Sequence, residues 1–322
     1  MKRIGKGIEA VATPLGLIQL QTGLHTIIIP LLAPPLLQPQ AILLIQLHLQ
    51  TARLLILITN MEEVLCYGKT LPMAYHESLV LLNESPIVPC PDWDTEQKEV
   101  SMTFVVEHPL EDDMISKLSF CDPASLEQYC QEMLDGILDF EIQRGKWVYT
   151  YHDRMTNYYV DNCEKFPDTH SANQLQFIID ELKRNPYSRR AVIDIRDNSD
   201  DMYSADPACW QHAQFFIRDN KLHMKVLFRS NDACKAAFMN AFALIMLQKR
   251  VADELGVEVG TYTHRANSYH CYARDFEMLE GYVNRIKTEP DNITYSYWDD
   301  WEEQMSDARP GIAQKVAFLK NI

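Results

Sequence analysis

Residues 191–266 constrain the fold most. Three runs with strand character, 191–196, 212–217 and 222–228, precede one long, mostly apolar stretch, 238–255, which reads as a helix closed by Gly256. Strand character resumes at 261–266, and Arg218-Asp219-Asn220-Lys221 reads as the turn of a hairpin. Upstream, 62–66 reads as a first strand, 71–82 as an amphipathic helix and 83–98 as a loop rich in Pro and acids. Residues 100–107 read as a strand, 125–142 as a helix capped by Asp122 or Ser125, and 173–185 as a helix closed by Pro186. A further helix is expected over 274–286. Strands and helices that mix without regular alternation imply an α+β fold, with helices packed on a large mixed sheet.

The first sixty residues have a different character. They hold one acid, Glu9, against Lys2, Arg3, Lys6 and Arg53, a net of +3, which leaves −18 for residues 61–322 of the chain's −15. Two apolar runs stand out, 27–37 and 41–58. Pro30, Pro34 and Pro35 break the first. Gln46, His48, Gln50 and Arg53 interrupt the second, which makes it a poor membrane span. A targeting or membrane-associating extension and an ordered extra element are alternatives; a poorly ordered tail or translated upstream sequence is the reading we favour. Met61 looks like a natural start, so 61–322 is taken as the catalytic domain, with no membrane role.

The acidic balance provides no global basic field, which argues against binding polymeric nucleic acid. Eight cysteines, Cys66, Cys90, Cys121, Cys130, Cys163, Cys209, Cys234 and Cys271, include no Cys-x-x-Cys pair. They read as free thiols in a reducing cytoplasm, and no metal site is expected. Small anions remain possible ligands where arginines converge. Arg189-Arg190 follows a helix end, and Arg229-Ser230 ends a strand; Arg suits bidentate phosphate binding and Ser adds a donor. Taken alone, an Arg pair is ordinarily solvated surface. Cys209, in Asp206-Pro207-Ala208-Cys209-Trp210-Gln211, would be reactive if arginines depress its pKa; taken by itself, as one of eight cysteines, it reads as an inert, half-buried thiol.

The combination is more specific than its parts. Arg189-Arg190, Pro-x-Cys-x-Gln at 207–211, a hairpin, Arg-Ser-x-Asp at 229–232, Phe-x-Asn at 238–240 and His270-Cys271-Tyr272 occur in one order. With these spacings the chain resembles the thymidylate synthase family, in particular a shorter, archaeal-type branch, over about residues 61–290. The resemblance implies Cys209 as the nucleophile for C6 of a pyrimidine, with Arg229, Ser230 and Gln211 on the nucleotide. Asn240 reads the base edge, His270 and Tyr272 hold the 3′-hydroxyl, and Asp232 lies near base and pterin. It also implies a homodimer through a sheet face, with Arg189 and Arg190 reaching the phosphate of the neighbouring subunit. Tyr151 resembles the family's active-site tyrosine. Glu132 is the candidate general acid/base, with Glu107 and Glu127 as alternatives.

A uracil C5 is a poor nucleophile, and thiolate addition at C6 makes it enolate-like; covalent catalysis splits one hard step into easier ones. Asn240 offers both a donor and an acceptor, which suits uracil N3–H and O4; the cytosine-using hydroxymethylase relatives tend to carry an aspartate at that place, so the resemblance implies dUMP over dCMP. The implied co-substrate is 5,10-methylenetetrahydrofolate or a methanopterin analogue. The implied reaction is dUMP to dTMP, with a 5-hydroxymethylase of dUMP or dCMP, or a non-catalytic nucleotide-binding protein, as alternatives. Trp210 and Ala208 flank the nucleophile where the family commonly has His and Pro, but departures from the family fall mainly on the cofactor side. Ala236 replaces a Gly, residues 90–98 hold no arginine, and the folate-packing Trp segment is absent unless Trp147 substitutes.

Overall fold

A computed structural model describes residues 61–160 and 170–321, and the backbone of 2–3, 8–12, 17–22 and 25–30. The chain divides into two compact units, Met1–Asn60 and Met61–Ile322. In the first, β1 (Lys2–Arg3), β2 (Ile8–Ala12), β3 (Leu17–Thr22) and β4 (His25–Pro30) form an antiparallel sheet in sequential order. The apolar run 41–58 lies outside the described residues.

The second unit is built on a seven-stranded mixed sheet. Its strands are β5 (Glu63–Gly68), β6 (Ile87–Cys90), β7 (Thr95–Val106), β11 (Val192–Asp194), β12 (Trp210–Arg218), β13 (Lys221–Asp232) and β14 (Glu258–Tyr272), in the order β11-β12-β13-β14-β7-β5, with β6 on β7. Two short pairs lie outside it: β8 (Ile115–Ser116) with β15 (Thr294–Tyr295), and β9 (Tyr158–Val160) with β10 (His170–Ala172). The α+β expectation therefore holds.

Two pairings are parallel, β5 with β7 and β13 with β14. Parallel neighbours need a crossover, and a helix fills each one. Helix α1 (Leu71–Glu84) leads from β5 towards β7, and α5 (Ala237–Leu255) leads from β13 to β14. Helix α5 buries twelve side chains, among them Phe238, Phe242 and Leu244, because it lies inside the molecule against the sheet. Gly256 ends it with φ 68°, in the left-handed region where a side chain would be strained. The β12–β13 hairpin closes through Asp219 and Asn220, both at positive φ, as a two-residue turn requires.

Two expectations need correction, and one helix lies beyond them. The helix expected over 125–142 stops early: α2 spans Pro123–Asp135, and Gly136 turns the chain with φ 62°, tight against Asp139 and His152. Only a four-residue turn, Phe140–Gln143, follows. Asp122 and Ser125 cap α2 reciprocally, so both capping candidates act. The loop expected over 83–98 contains β6 and the start of β7; Pro89 is tolerated because β6 sits at a sheet edge. Finally, α7 (Glu302–Asn321), not foreseen, packs on α2 through Arg309 Nε to Glu127 Oε1 at 2.7 Å and Lys315 Nζ to Gln128 Oε1 at 2.8 Å. Further helices are α3 (Tyr151–Thr156), α4 (Gln174–Arg184) and α6 (Phe276–Thr288).

One sheet face carries the helices. The other leaves Leu65, Tyr67 and Lys225 exposed and Gln214, Phe216, Thr263 and Arg265 half-exposed in the single chain. Among the described residues no helix is long and apolar enough to cross a membrane.

Candidate active site

Cys209 is half-buried in the residue before β12. Its loop is held from the neighbouring strand. Arg229 N–H donates to the Cys209 carbonyl at 2.8 Å, and the Arg229 guanidinium donates to Ala208 O from Nε at 3.1 Å and to Pro207 O from Nη2 at 2.6 Å. Asp206 lies 3.5 Å from Nη2, and Nη1 has no partner among the described residues. A bulge between Trp210 and His212 accommodates Gln211, whose carbonyl accepts from Ile195 N–H at 2.9 Å and whose Nε2 donates to Ala208 O at 2.5 Å. The thiol and the guanidinium are thus built into one small turn.

The arginine does not, however, bring the thiol below its ordinary pKa. Burial raises the Cys209 pKa above its ordinary value, Arg229 pulls it back and Asp206 raises it further. Burial wins because the charged sulfur loses more hydration than one partly exposed guanidinium restores. The chain without substrate therefore holds a neutral thiol at neutral pH.

Behind the thiol stands an aromatic wall. Tyr151, on α3, accepts from Trp210 N–H at 3.2 Å and meets the buried Trp210 ring edge-on at 5.5 Å. Tyr149 packs against Tyr151 at 5.8 Å. A charge on Cys209 would raise the pKa of Tyr129, Tyr149, Tyr151 and Tyr272, so all four lie within its electrostatic reach. A cavity of about 210 Å³ is lined by Tyr129, Glu132, Trp147, Tyr149 and Tyr151. Its flat apolar walls beside one carboxyl fit a planar, polar-edged ring system such as a pterin. Glu132 accepts from Gln128 at 2.6 Å, and burial raises its pKa. Of the alternatives, Glu127 is buried against Arg309 and Gln131 on another face of α2, and Glu107 is exposed at the end of β7.

Parallel pairing assembles the rest. Register sets Ser230 beside Ser268 and Asp232 beside His270. Asp232 Oδ1 accepts from Cys234 and Lys235 N–H, each at 3.0 Å, which turns the chain into α5 and puts Asn240 in its first turn. Asn240 is buried; its Oδ1 accepts from the Tyr129 hydroxyl and its Nδ2 donates to Asn231 Oδ1 at 3.1 Å. His270 is buried, edge-on to Tyr272 at 4.7 Å. Burial lowers its pKa, opposed by Asp232 and aided by Arg229. Tyr272 also meets Trp93, in the turn where no arginine stands, at 6.4 Å.

Arg189 and Arg190 lie elsewhere. Both are exposed; Arg189 O accepts from Gln214, five residues along β12 from Cys209, or roughly 17 Å at strand rise. Arg190 is bound to Glu181 Oε1 at 2.9 Å. Within one chain the structure does not bring this pair to the thiol. Tyr129, Tyr149, Asn231 and His264 join the site without having been singled out in sequence, since only tertiary contacts place them there. Among the described residues no group of three or more His, Cys, Asp or Glu could hold a metal ion.

The thymidylate synthase family model matches residues 127–309. The chain belongs to the thymidylate synthase family. It is similar to a Methanocaldococcus jannaschii protein named "Putative thymidylate synthase", at 34% identity over 230 residues, covering 68% of this chain and 96% of the relative. A Methanosarcina barkeri protein of the same name is 27% identical over 222 residues, covering 68% of this chain and 94% of the relative. The protein is accordingly a one-carbon transferase of the thymidylate synthase type. The family binds dUMP, uses a folate-type co-substrate and typically forms dimers.

Proposed function

We propose that this enzyme methylates dUMP to dTMP through a covalent adduct of Cys209 with C6 of the uracil. The observation that carries this reading is the joint turn of Cys209 and Arg229, with the Asn240 carboxamide bonded to Tyr129, a residue within the electrostatic reach of Cys209. Arg229 and Ser230 bind the 5′-phosphate, His270 and Tyr272 the 3′-hydroxyl, and Asn240 the N3–H and O4 edge.

The thiol starts neutral, so it gives its proton to water as sulfur bonds to C6, a step Arg229 favours. The C5–C6 π electrons pass to the O4 enolate, and C5 then attacks the one-carbon electrophile. 5,10-Methylenetetrahydrofolate or a methanopterin analogue would supply that carbon and a hydride when bound in the aromatic cavity. Glu132, its carboxyl raised by burial, takes the C5 proton as the bond from the transferred carbon to its donor nitrogen would break; hydride addition to that carbon would expel Cys209 as a thiolate, which recovers a proton from water to restore the thiol. Asp232 and Tyr151 hold the ring and the nucleophile turn in register.

We also propose a homodimer through the open sheet face, with Arg189 and Arg190 lent to the partner's phosphate, and a reducing cytoplasm as its setting, supported by seven free cysteines among the described residues. Incubation with dUMP and labelled methylenetetrahydrofolate tests the reaction. The proposal expects dTMP and dihydrofolate in equal amounts; a 5-hydroxymethyl product without dihydrofolate would assign a hydroxymethylase instead.

A further inference from the structure

A carboxamide alone does not choose between pyrimidines. Turned one way, Asn240 accepts from N3–H and donates to O4 of uracil; turned over, it donates to N3 and accepts from the amino group of cytosine. Discrimination requires that both ends be held, and here they are. The Tyr129 hydroxyl donates to Oδ1, and Nδ2 donates to Asn231 Oδ1 at 3.1 Å. Asn231 Nδ2 lies 2.8 Å from His264 Nε2, and His264 Nδ1 lies 2.9 Å from the Tyr262 hydroxyl.

His264 is the far anchor. It is fully buried, stacked between Phe104 at 4.5 Å and Phe228 at 4.7 Å, and burial lowers its pKa to about 3. The ring is therefore neutral and has one N–H. With Nε2 accepting from Asn231, that proton sits on Nδ1 and points to Tyr262. Reversing Asn240 would then turn Asn231 over, move the His264 proton to Nε2 and make Tyr262 the donor. It would also strip the Tyr129 hydroxyl proton of its acceptor. No single group can flip without leaving a donor facing a donor or an acceptor facing an acceptor.

We propose that this relay, Tyr262–His264–Asn231–Asn240–Tyr129, sets the preference of the site for uracil over cytosine nucleotides. Tyr129, Asn231 and His264 are positioning residues that act through Asn240. The inference rests on the reading of Asn240 as the base-edge residue.

Calorimetric titration of dUMP and dCMP into wild type, Tyr129→Phe and His264→Phe tests it; Phe suits the slot between Phe104 and Phe228. Wild type is expected to favour dUMP. Each variant should weaken dUMP by about tenfold, the scale of one buried hydrogen bond, while binding dCMP more tightly. Simple loosening of the fold would weaken both ligands together and overturn the relay, as would variants that keep the wild-type ratio or a wild type that binds both equally. Nitrogen-15 NMR of imidazole-labelled wild type gives a readout that needs no variant: His264 should be neutral with its proton on Nδ1, and a proton on Nε2 overturns the assigned polarity. Wild type that binds neither nucleotide would instead remove the nucleotide reading itself.

Discussion

Arg229 combines two roles, and truncating it to alanine separates them. The side chain donates to Ala208 and Pro207 in the turn that carries Cys209, and it is the group we propose for the 5′-phosphate. A charge-assisted contact to phosphate is worth about 1.5–3 kcal/mol, or roughly ten- to a hundredfold in affinity. The two carbonyl contacts are made at a guanidinium about one-third exposed, so water replaces part of them. Deoxyuridine, which has no phosphate, isolates the turn. We expect Arg229→Ala to weaken dUMP binding by roughly ten- to a hundredfold in calorimetry, and deoxyuridine by less than about threefold. Because Arg229 lowers the Cys209 pKa, the variant should also be alkylated by iodoacetamide more slowly at a fixed pH near neutrality. Equal losses for nucleotide and nucleoside would refute the phosphate assignment and reduce Arg229 to a strut.

Cys209→Ser should form no adduct with 5-fluoro-dUMP in intact-mass spectra; an adduct that persists places the nucleophile elsewhere. Glu132→Gln should lower turnover by about a hundredfold or more while dUMP affinity changes little, and unaltered turnover transfers the proton step to another group. Glu181, whose carboxylate accepts from Ser188, Arg190 and Arg184, is held down to about 2 from an ordinary 4.5. Its depressed pKa means stabilisation that is present above about 4.5 and lost as pH falls through about 2. The gap in urea midpoint between wild type and Glu181→Gln should therefore shrink over that window; a gap independent of pH would mean the ion cluster is not its source.

What sequence could reveal, and what it could not, divides along the range of the interactions. Short-range signals carried through well. The Asp219-Asn220 turn, the Gly256 stop and the Asp122–Ser125 cap are each local chemistry, so each was legible, as was the order of Cys209, Arg229, Asp232, Asn240 and His270 along the chain. Gly136 shows where local reading fails. Apolar spacing continues past it towards Phe140, but the turn is dictated by Asp139 and His152 folding back on it. The polar relay lay further out of reach. Asn231 meets His264 across 33 positions, and Tyr129 meets Asn240 across 111, through strand register and helix packing that no window spans.

The thiol marks the limit of reading charge alone. Arginines near Cys209 in sequence leave an activated sulfur open, because charge can be read from sequence. Burial cannot, and burial is the larger effect on Cys209. If the thiol of the free chain is neutral, activation belongs to the bound state. A site that keeps its sulfur protonated until a pyrimidine displaces water is also protected from idle alkylation and oxidation, since the thiolate is the reactive form. The pH profile of Cys209 alkylation should therefore have its midpoint above the ordinary thiol value in the free enzyme; a midpoint below it would restore the arginine-activated thiol and remove substrate binding as the trigger.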